Sequence, residues 1–513
     1  MLKTSNALRY TTKSQLVKAN EIAKDYLKSA NSLMKLPSRC DYHIYIFTSE
    51  KEAAMQKKQF NETVYTDINA FVFGRAKYPV ALTNGMVIGG GTVYPEVNFT
   101  LPTMQITKDT MPDVIRNYTE IITGICERAK ELYVPGFVAE IETLPPMTEN
   151  PEWGIEVCKT VVGIVKEYEV KHGIKGAVRI TPNDIREGSG LEHMWRGWHW
   201  DAMLKTFEGC AKAGADFLAV ESVGGKEVHD DAIMYCDIAK SIFALSVLGC
   251  ADMNKLWTEI AAIAARTGTI AAGDTACGFG NTAMVLADRN YIPRVFAAAV
   301  RVVTAVRSLV AIECGAKGPH KDCGYEGVYI KAITGTPISM EGGTAACAHL
   351  SPVGNIAACV ADIWSNESIQ NIKLLGGMAP TVSFEQLVYD CRLMNEASAR
   401  GQQTALLLRD LHADSDSKLD PQAYVLRPDI ALDISKELVK IDGYYPRAKK
   451  AAALALSHIQ KAHDQGSLAL DDKELMWLEN IANTVEELPA DVGEFTENII
   501  GECDKLDPKK YDM

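Results

Sequence analysis

Two cysteines and a glutamate stand out in this 513-residue chain, because each follows a short apolar run where the sequence turns polar or glycine-rich. Glu221 ends the run Phe217–Val220 and opens Glu-Ser-Val-Gly-Gly-Lys-Glu. Cys277 follows Thr269–Ala272, in Ala-Gly-Asp-Thr-Ala-Cys-Gly, and Cys323 lies beyond Leu309–Ile312, in Gly-Pro-His-Lys-Asp-Cys-Gly-Tyr-Glu. Two thiolates and a carboxylate would suit Zn²⁺, which accepts sulfur, nitrogen and oxygen donors and in catalytic sites keeps a fourth position open for substrate. His320 stands three residues before Cys323, and a His/Cys/Cys set is equally good zinc chemistry. Spacing therefore points to a metal and leaves the third ligand open between Glu221 and His320. The competing account is packing, since cysteine is also among the most buried residue types.

For the three segments to act together, the elements around them must bring them to one place. From about Gly136 to Pro380, short apolar runs alternate with helix-sized amphipathic stretches. The runs are Phe137–Ile141, Ala177–Ile180, Phe217–Val220, Ser246–Cys250, Thr269–Ala272, Leu309–Ile312, Pro337–Met340 and Lys373–Leu375. Strands that read as continuous apolar runs, alternating with helices, indicate a parallel sheet covered on both faces. Eight runs favour a closed (β/α)₈ TIM barrel over an open doubly wound sheet, and in a barrel the loops after the strands gather round one mouth. The expected organisation is an α/β chain in three parts: a helical N-terminal extension over 1–58, the barrel over 59–400, and a C-terminal helical segment, 401–513, packed on it. In the extension, Ile22, Ala23, Tyr26, Leu27, Ala30, Leu33 and Met34 recur at helical spacing before Pro37, and Met55 is an alternative start. In the tail, Asp471 and Glu474 read as a capping box ahead of the stripe Leu475, Leu478, Ile481, Val485 and Leu488.

Composition removes several function classes. The formal charge of −13, with no basic block, disfavours nucleic acid as a partner. The 13 cysteines are scattered with no CxxC pair, which argues for reduced thiols and a cytoplasmic protein rather than a disulfide framework. No signal peptide and no uninterrupted apolar run long enough for a bilayer are visible. Gly278-Phe279-Gly280-Asn281-Thr282-Ala283 matches a dinucleotide fingerprint, but Ala297–Ser308 lacks the acidic residue that would hold a ribose. Gly89-Gly90-Gly91 has no following Lys-Ser/Thr and reads as a turn. Trp195, Trp198, His199 and Trp200 could line a pocket or an interface, with ordinary packing as the simpler account.

The segments Val-Glu-Ser-Val-Gly-Gly-Lys-Glu-Val (220–228), Gly-Thr-Ile-Ala-Ala-Gly-Asp-Thr-Ala-Cys (268–277) and Arg-Ser-Leu-Val-Ala (307–311) resemble the methanol–corrinoid methyltransferase B subunit family. So do Lys-Asp-Cys-Gly-Tyr-Glu (321–326), Lys-Ala-Ile-Thr-Gly (331–335) and Trp-Ser-Asn-Glu-Ser (364–368), with weaker similarity from about Phe71–Val80 to the C-terminus. The resemblance implies a barrel with zinc held by one glutamate and two cysteines, which fall on Glu221, Cys277 and Cys323. It implies activation of methanol and transfer of its methyl group to the Co(I) of a corrinoid, in methanogenic or acetogenic metabolism. The chain lacks the Asp-x-His-x-x-Gly corrinoid-binding motif, so the cobalt is expected on a separate corrinoid protein in a hetero-oligomer. Ala276, His320 and Gly278-Phe279-Gly280 depart from the family pattern. Another small alcohol, a methoxy compound, or a non-catalytic zinc-binding scaffold for the corrinoid protein are the alternatives. Three negative ligands around Zn²⁺ make a mild Lewis acid, so a proton donor near the leaving oxygen is expected. Asp274, Glu326 and the acids after Glu221 are its candidates.

Overall fold

The computed structural model describes residues 60–99, 101, 104–187, 190–321, 323–342, 353–368, 373–374 and 377–513. The helix expected around Ile22–Met34 and the start at Met55 lie outside them. An antiparallel hairpin, β1 (Arg75–Ala81) and β2 (Val87–Gly90), precedes the main sheet. That sheet holds β3 (Tyr94–Phe99), β4 (Phe137–Glu142), β5 (Gly176–Thr181), β6 (Phe217–Val220), β7 (Ile270–Asp274), β8 (Ser339–Glu341) and β9 (Ile363–Ser368). All its pairings are parallel, in the order β7-β6-β5-β4-β3-β9-β8. The segment 317–320 touches both edge strands. Lys317 and Gly318 donate backbone N–H bonds to Ala271 and Ala272 of β7 at 2.8 and 2.9 Å. On its other side, His320 N–H reaches Pro337 at 3.0 Å, and Ser339 N–H of β8 reaches the His320 carbonyl at 2.9 Å.

Two-residue periodicity sorts the strand side chains. Phe99 and Phe137 point outward, against Tyr118 and Phe384 of the flanking helices Met111–Glu131 and Ala379–Ala399. Inside the curl, apolar and polar residues are layered. Val138, Ala177, Phe217, Ala219, Ala272 and Ile363 pack with Val80, Leu82, Met86 and Ile88 of the hairpin segment into a separate apolar cluster. One step further along the strands, the same inner face carries buried Glu96, Asn98, Glu140, Arg179 and Thr181. The hairpin thus stoppers one end, and the polar layer leads to the carboxyl ends of the strands.

Two of the apolar runs are helical rather than extended. Ser246–Cys250 spans the end of a π-helical turn, Ala244–Gly249, and the start of the helix Cys250–Thr267. Leu309–Ile312 closes the helix Arg294–Glu313, in which every residue from Val295 to Ile312 is buried. A helix enclosed on all sides carries no polar face, so its end reads like a buried strand. Among the described residues, Lys373–Leu374 pairs with Gly377–Met378 and with no strand of the main sheet. The runs also passed over β3 and β9, whose inward positions are polar (Glu96, Asn98, Ser365), and over 317–320, which is too short and too glycine- and proline-rich to register.

The C-terminal helices include Gln402–Asp416, Pro428–Leu438, Tyr444–Asp464, Asp472–Glu487 and Val492–Ile500. Tyr444–Asp464 covers the helix Arg294–Glu313, which at 20 residues and a mean hydropathy of 1.9 could by composition alone cross a bilayer but is wholly enclosed by the rest of the chain. The Asp471 side chain accepts from Glu474 N–H at 2.8 Å, as a capping box requires. The Glu474 carboxylate turns elsewhere: it accepts from Arg294 and Val295 N–H, both at 2.9 Å, and so caps the buried helix. Leu478, Ile481 and Val485 are buried as the stripe demands.

Ala448, Ala451, Ala452 and Ala455 form a fully buried stripe on Tyr444–Asp464. Ala452→Asp would place an unpaired carboxylate in this stripe, and burying an unpaired charge costs several kcal/mol. Thermal unfolding should show a melting temperature lowered by roughly 3–5 °C, or no soluble protein. A wild-type melting temperature would mean this helix is not held against the core.

Candidate metal centre

The three residues come together because the segments that precede them, β6, β7 and 317–320, lie side by side. Glu221 leaves β6 directly. Cys277 leaves β7 after Thr275 and Ala276, and opens a π-helical turn, Cys277–Asn281. Cys323 follows the bridging segment 317–320, not a strand at Leu309–Ile312. One ligand atom from each of Glu221, Cys277 and Cys323 lies within 4.8 Å of the others. The Cys323 Sγ is 3.3 Å from Glu221 Oε1. His320 stands outside this group, fully buried, with Nε2 at 3.5 Å from Glu326 Oε1.

Each ligand loop is bolted from beneath. Arg307 donates to the Ser222 carbonyl at 2.7 Å and to Ser222 Oγ at 2.6 Å, next to Glu221. Asp274 joins the same knot: it accepts from Trp257 Nε1 at 2.8 Å and Ser222 N–H at 3.3 Å, and faces Arg307 Nη1 at 3.5 Å. Burial raises the Asp274 pKa above the usual carboxylate value, an effect that Arg307 opposes. Glu326 ties the two cysteine loops, accepting from Ala276 N–H at 2.8 Å and Ser308 Oγ at 2.6 Å. Burial works to raise its pKa, but hydrogen bonding and charge from His320 outweigh that and hold it below the ordinary value. The glycine in Cys-Gly-Tyr-Glu follows from this crowding, because a Cβ on Gly324 would lie 1.9 Å from Glu326 Oε2 and 2.4 Å from Thr275 Oγ1.

Lys321 is the site residue that the sequence analysis did not single out. Its ammonium is buried between Glu142 at 2.8 Å, Glu140 at 3.0 Å and Glu221 at 3.2 Å. Asn98 Nδ2 adds a bond to Glu142 at 2.9 Å, and Thr181 Oγ1 one to Glu140 at 2.6 Å. A signal was present: Glu140 and Glu142 are two residues apart at the end of an apolar run, so they share one face of a buried strand. Charges there must be paired or face a cavity. Burial, and then the Cys277 sulfur, push the Glu221 carboxyl well above its ordinary range, with Lys321 pulling back. Its side chain keeps 36 % exposure, so water at the mouth tempers the shift.

Two thiols and a carboxyl at this separation fit a cation. Zinc bonds of about 2.0–2.3 Å put tetrahedral ligands roughly 3.3–3.8 Å apart, a spacing reached here by small side-chain adjustments.

Residues 57–512 match the family model described as methanol-cobalamin methyltransferase B subunit. The chain is similar to a methanol–corrinoid protein co-methyltransferase of Methanosarcina barkeri strain Fusaro, with 39% identity over 452 residues, 87% of this chain and 96% of the relative. Its structure is similar to a chain in the crystal structure of the methanol:cobalamin methyltransferase complex from Methanosarcina barkeri. The TM-score is 0.85 and the identity 37%, covering 89% of this chain and 100% of the other.

The Asp274 knot makes its own test. Asp274→Ala strips the carboxylate from buried Arg307, and breaking a buried ion pair from one side costs about 3–5 kcal/mol. Urea unfolding should show that loss. Unchanged stability with methyl transfer abolished would instead make Asp274 the proton donor.

Proposed function

The chain belongs to the methanol-cobalamin methyltransferase B subunit family, and we infer that it activates methanol and passes the methyl group to the Co(I) of a partner corrinoid protein. We read Glu221, Cys277 and Cys323 as its zinc ligands. The observation that carries this reading is the approach of their ligand atoms to within 4.8 Å, beyond the carboxyl ends of β6, β7 and the segment 317–320 beside β7. A Zn²⁺ bound there supplies a Lewis acid that polarises the methanol oxygen, without which hydroxide leaves too poorly for methyl transfer.

The surrounding residues have separate tasks. The buried Arg307–Asp274–Ser222 and Glu326–Ala276 contacts hold the ligand loops so that the donor atoms need little rearrangement. Lys321 offsets one negative charge of the ligand set and aligns Glu221 with the acidic wall. For the proton that the leaving oxygen requires, we favour the Lys321–Glu142 pair over Asp274 and Glu326. The last two are fully buried in the loop network, whereas Glu142 keeps 17 % side-chain exposure while bonded to Lys321. Docking of the corrinoid protein over the mouth would shut out water and place cobalt in line with the methyl carbon.

We take the curled sheet together with 317–320 as a closed (β/α)₈ barrel, supported by the backbone bonds of that segment to β7 and β8. We divide the chain into an extension over 1–58, the catalytic barrel over 59–400 and the helical segment over 401–513. The start of the family match at residue 57 supports the first boundary. None of the described cysteines is joined in a disulfide, in keeping with a reducing cytoplasm.

Zinc-loaded protein mixed with cob(I)alamin and methanol should consume the cobalt(I) absorbance, and faster with the corrinoid protein as acceptor. No methanol-dependent change, while another methyl donor gives one, would overturn the substrate. Cys277→Ala and Cys323→Ala should each lose zinc and methyl transfer together and keep the folded circular dichroism spectrum. Either variant turning over normally without zinc would end the mechanism. A chain beginning at Met55 should bind zinc and transfer methyl groups at close to the full-length rate. Loss of zinc on that truncation would move the domain boundary.

A further inference from the structure

Asn281 ends the π-helical turn that Cys277 begins, and its side chain points back over the first residue of that turn. The amide nitrogen Nδ2 lies 3.6 Å from Cys277 Sγ and also donates to the Cys323 carbonyl. One buried side chain therefore touches both cysteine loops, the first through sulfur and the second through backbone. The orientation of the amide is set by these partners. A flipped amide would aim Oδ1 at a sulfur and a carbonyl oxygen, both acceptors, and would satisfy neither. In the orientation adopted, Oδ1 is buried without a hydrogen-bond partner. A buried acceptor left unpaired costs about 1–3 kcal/mol. An apolar residue of similar shape would avoid that cost but take the donor away from the Cys323 carbonyl, so stability is close to balanced and what the asparagine adds is its contact with the Cys277 sulfur.

We propose that Asn281 is a positioning and tuning residue for the metal, a role that rests on the zinc reading of the site. Its N–H···S bond withdraws electron density from Cys277, and its bond to the Cys323 carbonyl fixes the separation of the two sulfurs. A carboxylate and two thiolates would leave a dipositive metal with a net negative first coordination sphere and a blunted Lewis acidity. A hydrogen bond to one thiolate weakens that sulfur as a donor and returns positive character to the metal, where the alcohol oxygen needs it. Partners that hydrogen-bond a metal ligand alter affinity or activity by about 10–100-fold when removed.

The test is Asn281→Leu, which keeps the branched outline and removes the donor, with Co(II) in place of Zn²⁺ as the spectroscopic probe. Sulfur-to-cobalt charge-transfer absorption should move to lower energy in the variant, because a thiolate without its hydrogen bond is easier to oxidise. With Zn²⁺ at saturation, turnover of methanol with cob(I)alamin should fall about 10–100-fold, with KM for cob(I)alamin unchanged. An unshifted band overturns the tuning role even if turnover falls. Unchanged turnover overturns it even if the band shifts. Absence of any thiolate charge-transfer band in Co(II)-loaded wild type removes the metal reading itself, and this proposal with it. The two failures are therefore separable.

Discussion

Two guanidinium groups on one buried helix hold the ligand loops in place. Arg301 and Arg307 sit in Arg294–Glu313 with no solvent exposure. A charge taken out of water is tolerable only where its donors find acceptors. Arg307 finds them at Ser222, in the loop of Glu221, and at Asp274, the last residue of β7. Arg301 finds them at the Gly324 carbonyl, 2.8 Å away beside Cys323, and at the Gly280 carbonyl, 3.5 Å away in the turn of Cys277. Each guanidinium also lies over an aromatic ring of those loops, Arg301 over Tyr325 and Arg307 over Phe279. The cost of burying the arginines therefore becomes a restraint on the backbone around the three candidate ligands. Loops are ordinarily the mobile parts of an α/β fold, and here their carbonyls are anchored to a helix of the core.

The same helix explains where the sequence was hardest to read. Leu309–Ile312 was expected to be the strand before Cys323, and the error follows from burial on every side, which erases helical periodicity. β4 to β7 were legible because their outward faces meet helices and their inner faces are apolar at the hairpin end. β3 and β9 were hidden by the polar inner layer, since glutamate and asparagine in a strand resemble a loop until the curl supplies them with partners. Glu221, Cys277 and Cys323 were visible as residue types lying just beyond short apolar runs. Lys321, Asn281 and the two arginines were not, because their importance lies in which carboxylate, sulfur or carbonyl they reach across the fold.

Charge layering within the sheet gives the site its character. Arg179 bonds Glu96 at 2.8 Å deep in the curl, and Lys321 meets three carboxylates nearer the mouth. Acids outnumber bases in this layer, and Glu221 and the two thiols continue the excess outward. The raised pKa of Glu221 follows from burial first and from this excess second: a carboxyl withdrawn from water and set beside a thiol and another acid resists ionisation unless a cation is supplied. A divalent metal would relieve that repulsion, so its binding energy would also help to settle the loops.

The C-terminal helices belong to this same system of restraint. Gln422 accepts from Arg301 at 3.3 Å, so the guanidinium that grips both cysteine loops is itself gripped from the C-terminal segment. Glu474 caps the helix that carries both arginines. Tyr511 OH accepts from Gly225 N–H at 2.8 Å, four residues beyond Glu221, and Lys510 takes the backbone N–H of Met194 at 3.0 Å. The Tyr511 contact reaches the loop of Glu221 from outside, as Arg307 does from within. A boundary near residue 400 therefore marks a change of architecture, from strand–helix alternation to helices alone. It does not mark a division of function, because the geometry of the candidate centre is determined on both sides of it.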